Sequence, residues 1–340
     1  MDIALIGFGT VGQAFAQLLH DKAEDLQARY HLTPRLVAVI TQQRGSLYDP
    51  NGLNIPHLLT SMRDYDTLAH YPRNDNLQYG WTSQQAVTQS TAQVIVEATP
   101  SNLATGQPAL DVCYAALDAK KHVILANKGP VSVAYNELMA RASANNRLVR
   151  FESTVMAGTP SIRLAMNTLR GSNITAVKGI LNGTTNYILT QMEAGMPYAD
   201  ALAEAQRLGY AETNPDGDVL GFDAAGKVII LAAAVFGMKL KQGDMSIKGI
   251  TEITPQMIDE AKLAGERWKL IGEITPTGAS VMPKRLPISH PLANIGGTTN
   301  AITYTTDVLG DVTLIGAGAG GVQTAYGMLS DLIEIHDTIR

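Results

Sequence analysis

Short β-branched runs alternate with longer stretches of helical period through the first half of the chain. Ile3–Ile6, Leu36–Ile40, Val94–Glu97, Val123–Ala126 and Leu148–Phe151 read as strands, with helical patterns over Val11–Leu19, Gln107–Ala119 and Tyr135–Ala144 between them. That alternation predicts a parallel sheet covered by helices. The segment Gln42–Ser90 is polar and irregular around the turn Asp49-Pro50-Asn51-Gly52, and is expected to carry a helix or two.

After Phe151 the character changes. Ile174–Leu181 reads as a strand and Asn182–Asn186 as a loop that starts a helix. Ala199–Leu208 is an alanine-rich helix and Asp223–Phe236 a nearly all-apolar one. Further strands are expected at Met282–Ile288 and within Ala301–Ile315, the latter pair joined at Leu309-Gly310-Asp311. The glycine-rich turn Gly316–Gly321 leads to a last helix through Ile335. There is no internal repeat or low-complexity linker, so a domain border near residues 130–150 follows only from the change in pattern.

Composition narrows the class. At 340 residues, 45% apolar and 17% charged, the chain suits two folded domains and not a disordered polymer. The balance of 26 basic against 31 acidic residues, net −5, argues against a nucleic-acid partner. The single cysteine, Cys113, excludes an internal disulfide framework and a Cys-based metal cage. The N-terminus lacks a signal-peptide pattern, and the longest apolar run, Val228–Met238, is too short to span a bilayer. A cytoplasmic protein with no membrane partner is expected.

Gly7-Phe8-Gly9-Thr10-Val11-Gly12 fits G-x-G-x-x-G between a strand and a helix. Glycines allow a tight turn and close backbone approach, and the helix start offers N–H groups to a pyrophosphate. The blander reading is a plain strand–helix turn. In the β-loop-α context the motif predicts a dinucleotide site on a Rossmann-type doubly wound sheet. The second strand ends Ile40-Thr41-Gln42-Gln43-Arg44 with no acid before Asp49. An NAD site normally carries an acid there, and Arg44 could pair with a 2′-phosphate. NADP is therefore the expected coenzyme, with NAD possible if Arg44 is only a solvated loop residue.

The segment Ala205–Lys227 holds four carboxylates and a lysine before plunging into Val228–Phe236. Asp223 and Lys227 are four apart and share one helix face. An ion pair at the mouth of an apolar helix is costly to desolvate, which suggests a functional purpose; the alternative is a structural salt bridge. Such a lysine can exchange a proton with a carbonyl or alcohol oxygen. A second lysine, Lys128, follows the predicted strand Val123–Ala126, at the end where open α/β sheets bind ligands; it could equally be a surface loop lysine.

These residues carry a resemblance. Ala205–Lys227 fits the homoserine dehydrogenase signature A-x3-G-Y-A-x2-N-P-x2-D-V-x-G-x-D-x3-K at every specified position. Val96–Pro100, Ala126–Pro130, Glu152–Val155 and Leu181–Asn186 resemble further blocks of that family in the same order. The resemblance implies NAD(P)-dependent interconversion of L-homoserine and L-aspartate 4-semialdehyde. It implies Lys227 as the catalytic proton donor and acceptor, Asp218 as its supporting carboxylate and Lys128 as a second active-site lysine. Glu212 and Asp223 resemble the homoserine-binding acids, and Gly183, Thr184 and Tyr210 match substrate-loop positions. On the coenzyme side, Thr99, Pro100 and Lys128 join the glycine loop, and Gly209 and Gly320 match positions that close over the coenzyme.

The family also implies a monovalent cation, Na+, on Glu152 and the backbone carbonyls of Val155, Ala157 and Thr159. One carboxylate plus carbonyl oxygens suits a hard ion of low charge. The implied organisation is a dinucleotide domain over 1–135, completed by 316–340. An α+β domain with a mixed sheet over 136–315 would bind substrate, carry catalysis and form a homodimer. The stretch Gln42–Tyr79 matches no family feature, and with the chain stopping at Arg340 threonine feedback through an ACT domain is not expected.

Two rival functions are weighed against this one. An aspartate-semialdehyde dehydrogenase needs a thiolate nucleophile, whereas Cys113 lies in a helical pattern of core-like spacing. A catalytically silent NADP sensor on the same fold would have no need of Lys227, Asp218 and Glu212 in one constellation.

Overall fold

The computed structural model describes residues 1–340. It divides into two compact units, Met1–Gly158 with Gly320–Arg340, and Thr159–Ala319.

The first unit opens with β1 (Asp2–Ile6), α1 (Thr10–Asp21), α2 (Ala23–Tyr30) and β2 (Arg35–Ile40). The polar stretch then folds into β3 (Ser46–Tyr48), α3 (Ile55–Tyr65), β4 (Gln78–Tyr79) and α4 (Ser83–Gln89). It continues through β5 (Val94–Glu97), α5 (Ala109–Asp118), β6 (His122–Leu125), α6 (Lys128–Ala144), β7 (Val149–Arg150) and the single turn α7 (Ser153–Met156). The seven strands lie in the order β4-β3-β2-β1-β5-β6-β7. β2 through β7 along that order are parallel, while β3 and β4 add an antiparallel edge beyond β2. β1 thus sits where the order reverses, between β2 and β5, which is where doubly wound sheets bind ligands.

The second unit holds α8 (Ser161–Arg163), β8 (Ile174–Ile180), α9 (Gly183–Glu193), α10 (Tyr198–Arg207), α11 (Asp216–Val219) and α12 (Phe222–Phe236). β9 (Ser246–Ile247), α13 (Pro255–Leu263), β10 (Glu266–Thr275), β11 (Gly278–Pro287), β12 (Thr299–Thr306) and β13 (Gly310–Ala317) complete it. Its sheet runs β13-β12-β8-β10-β11-β9, antiparallel except for the β11–β9 pair. α12 begins at Gly221 and ends at Gly237, both in the left-handed region. Ten consecutive residues between, Ala224–Ala233, are buried. A helix apolar all round is one enclosed by its neighbours, here β10 and β11 beside it.

The last helix, α14 (Gly321–Ile339), belongs to the first unit. Ala325, Met328, Leu329, Leu332 and Ile335 on its inner face share one core with Ile3 and Leu5 of β1 and Phe15 of α1. Burying each large side chain contributes about 2 kcal/mol, so this stripe holds the chain's end to the sheet where it began.

The structure differs from the sequence expectations in several places. The helix expected at Tyr135 begins at Lys128, with a local break at Ala134 where ψ is 32°. β10 was not expected at all, because Lys269 in its middle masks the alternation, although that side chain is buried. The first compact unit reaches Gly158 and not residue 135, since α6 packs on α5 and β7 adds to the parallel sheet. The terminal segment joins it at Gly320 and not at 316, because Gly316 and Ala317 still pair in the second sheet.

Candidate active site

The glycine loop is built for close approach. Gly7 has φ +98°, and a Cβ there would lie 2.6 Å from both the carbonyl carbon and oxygen of Ala98. A Cβ on Gly12 would fall 2.3 Å from the Gly7 oxygen. Around Gly9, by contrast, nothing lies within 4 Å of a Cβ, and Gly9 caps α1 without a side-chain hydrogen bond. The start of α1, at the carboxyl end of β1, thus has no side-chain cap and open space beside Gly9, the kind of helix start that can accept an anion. Phe8 is buried in the core, so only its backbone can serve a ligand, and the partly buried Val11 packs against the same core. Gly320 begins α14 at φ +120°, and its neighbour Gly321 lies against Thr10.

At the end of β2 the Arg44 amide donates to Thr41 Oγ1 (2.9 Å). The guanidinium pairs with Asp66, Nε to Oδ1 3.0 Å, with side chains 42% and 73% exposed. A surface pair of this kind contributes at most about 1 kcal/mol, so it orients Arg44 without locking it away from a phosphate.

The ends of β5 and β6 carry a second cluster in this unit. Thr99 donates to the Glu97 carboxylate through its amide (3.2 Å) and its hydroxyl. Asn127 donates from Nδ2 to Thr99 Oγ1 (3.2 Å) and the Pro100 carbonyl (3.2 Å), while its Oδ1 caps α6 through the Gly129 amide (2.9 Å). Lys128 is the first residue of α6, half-buried, with its amide on Ser101 Oγ (2.9 Å). Further on, Glu152 is buried and its amide donates to Asp331 of α14 (3.0 Å). Val155 is buried with it, and Ala157 adopts φ +48°, an unusual backbone for a residue with a Cβ. No three His, Cys, Asp or Glu side chains converge as a metal cluster.

The second unit builds the lysine site. Lys227 is only 5% exposed. Its Nζ donates to the Leu181 carbonyl (2.6 Å) and pairs with Asp223 Oδ2 (2.8 Å), one turn back on α12. Asp218 is not on the lysine directly. Asn182, the cap of α9, donates from Nδ2 to Asp218 Oδ1 (2.7 Å) and Asp223 Oδ2 (3.1 Å), and so links the two acids. Burial foremost pushes the Asp218 carboxyl up, with the Asp223 charge adding to it. Thr184, near the start of α9, donates to the Tyr210 carbonyl (2.6 Å), and the Tyr210 ring meets Tyr187 edge-on at 5.1 Å. Gly183 is the first residue of α9. Glu212 is exposed on the loop after Tyr210, and Gly209 precedes it at φ +75° with open space around it. Thr159, first residue of this unit, donates from Oγ1 to the Ala317 carbonyl (2.9 Å).

Sequence reasoning did not single out the two capping asparagines, Asn127 and Asn182, or the acid Glu97. The signal existed in part: an asparagine just before a helix start is a cap by composition, but its Nδ2 partners are set only by tertiary contacts. Cys113 is fully buried in α5, and burial pushes its thiol well above the ordinary range, so no thiolate is present for acyl chemistry.

A Rossmann-type coenzyme unit together with a unit that carries a buried lysine beside carboxylates defines an NAD(P)-dependent oxidoreductase. Family models for the homoserine dehydrogenase NAD-binding domain and for homoserine dehydrogenase match residues 7–152 and 160–333. The chain belongs to the homoserine dehydrogenase family. It is 40% identical to the NAD(+)-dependent homoserine dehydrogenase of Pseudomonas canavaninivorans, over 99% of this chain and 96% of that one. It is 39% identical to the homoserine dehydrogenase of Methanocaldococcus jannaschii, over the full length of both. A hyperthermophilic archaeal homoserine dehydrogenase solved in complex with NADPH superposes with a TM-score of 0.85 at 29% identity, covering 99% of this chain and 98% of that one.

Proposed function

We propose that the protein interconverts L-aspartate 4-semialdehyde and L-homoserine, with Lys227 as the proton donor and acceptor at the substrate oxygen. The observation that carries this reading is the environment of Lys227. A buried ammonium with two protein acceptors keeps one N–H for a third partner. When bound, the coenzyme supplies or accepts a hydride. During reduction the aldehyde oxygen gains negative character, and a cation and proton source beside it lowers the barrier. Asp223 holds the Lys227 ammonium in place, and Asp218 supports the pair by its charge and through Asn182, which bonds both acids. Glu212, with Asp223, is suited to the substrate ammonium, which needs acceptors when taken from water. Gly183, Thr184 and Tyr210 frame the substrate, while Lys128, Thr99, Pro100 and Gly320 serve the coenzyme side.

NADP as the preferred coenzyme, with NAD accepted, is supported by Arg44 and by the absence of an acid at the end of β2. The buried Glu152 carboxylate and the Val155 and Ala157 carbonyls supply hard oxygen donors that suit Na+. A cytoplasmic homodimer is part of the same reading; no helix is long and apolar enough to cross a membrane.

The test follows NADPH and NADH absorbance with homoserine as substrate. Lys227→Ala is expected to lose mainly kcat and Glu212→Ala mainly to raise the homoserine KM. The reverse pattern would exchange their roles, and no turnover by the wild type with either coenzyme would overturn the assignment.

A further inference from the structure

Glu97 is the one acid of the parallel sheet that ends a central strand, and the reaction scheme above makes no use of it. It is 1% exposed, and its Oε2 has no hydrogen-bond partner. Its Oε1 accepts from Thr99, through the amide at 3.2 Å and the hydroxyl closer. Thr99 Oγ1 in turn accepts from Asn127, whose other amide atom caps α6. On the opposite side, the Ala98–Thr99 peptide is the surface against which Gly7 fits, its virtual Cβ only 2.8 Å from the Thr99 nitrogen. One carboxylate therefore ties together the turn after β5, the start of α6 and the backing of the glycine loop.

We propose that Glu97 is a positioning residue for the coenzyme: through Thr99 and Asn127 it fixes the rim formed by Thr99, Pro100 and Lys128 against the Gly7–Gly12 loop. This rests on the glycine loop being the coenzyme's seat, not on the identity of the second substrate. A buried carboxylate with one oxygen unpartnered is costly to keep charged. Burial raises its pKa to about 7 against the pull of the Thr99 and Asn127 donors. The titratable group facing it from α5 is the Cys113 thiol, neutral because its own pKa is pushed well above normal. The Thr99 and Asn127 contacts are neutral donors, and the charged Lys128 follows Asn127 at the start of α6. Above neutrality the Thr99 bonds become charge-assisted and the rim tightens; below it the carboxyl is protonated and the rim loosens.

The experiment is a fluorescence titration of NADPH and NADH, without homoserine, from about pH 5.5 to about pH 9. It compares the wild type with Glu97→Gln and Glu97→Leu, each checked for folding by thermal melting. The wild type is expected to bind coenzyme more tightly as pH rises through neutrality. Glu97→Gln keeps an acceptor but cannot titrate, so its binding should be flat with pH. Glu97→Leu removes both bonds to Thr99 and should weaken binding about tenfold. If Glu97→Leu does not fold, the pH profile of Glu97→Gln still decides. A Gln variant that follows the wild-type profile, or a folded Leu variant with unchanged affinity, overturns the proposal. Failure of the wild type to bind either coenzyme would instead remove the coenzyme-seat reading on which it rests.

Discussion

Asp223 Oδ2 lies 2.8 Å from Lys227 Nζ, one helical turn earlier on α12, whereas Asp218 makes no ion pair with that lysine and is joined to Asp223 by Asn182. The two acids should therefore differ when neutralised. Asp223→Asn leaves a nearly buried cation without its counter-charge, a loss of about 3 kcal/mol in folding stability. Asp218→Asn removes a carboxyl that burial already disfavours in charged form, and should change stability by less than about 1 kcal/mol. Denaturant melts of both variants make the comparison. Equal losses would mean the ion pair on α12 is not the dominant contact of Lys227.

Coenzyme choice is predicted to turn on the Arg44–Asp66 pair. Arg44→Ala should raise the NADPH KM about tenfold and leave the NADH KM unchanged, because only NADPH carries a 2′-phosphate. Asp66→Asn releases Arg44 from a surface pair worth about 1 kcal/mol, so the NADPH KM should fall up to about fivefold. Steady-state kinetics with each coenzyme read both effects. An Arg44→Ala variant that impairs NADH as strongly as NADPH would place Arg44 outside the 2′-phosphate site.

Cys113→Ala should retain turnover. The thiol is fully buried and held protonated, so it packs as a small apolar group. Truncation costs about 1 kcal/mol of stability through the small void it leaves. Loss of kcat in a variant that melts normally would revive a thiol-dependent reaction.

Much of the molecule is legible before folding, and the exceptions have physical causes. β1, β2 and β5 read directly because nearly every position in them is buried, leaving little but β-branched and aliphatic residues. Asp223 and Lys227 read as neighbours because helix geometry alone fixes that contact. The segment Gln42–Ser90 does not read, since its strands β3 and β4 are two or three residues long and lean on an edge. Lys269 hides β10 because its burial depends on Asn186 (3.2 Å) and the Ile295 carbonyl (2.8 Å), partners distant in sequence. The same holds for the link from Asn182 to both acids: local sequence marks the helix cap, and only the fold delivers Asp218 and Asp223 to its other atom.

His122 gives the chain an acid-sensitive point far in character from its chemistry. It is buried at the start of β6, and its Nδ1 accepts the Leu148 amide (3.1 Å). Burial first, then the charges of Arg147 and Arg150, lower its pKa from 6.5 to about 4. Because the folded value lies below the unfolded one, the unfolded chain takes up the proton first. The stability that neutral His122 preserves is complete above pH 6.5 and drains away as pH falls toward 4, a loss of about 2 kcal/mol. His122→Asn offers an acceptor that does not titrate. Thermal melts of the two proteins should diverge in slope between about pH 6.5 and about pH 4, with the wild type falling more steeply. Parallel curves over that window would show that protonation of His122 is not what acid exploits.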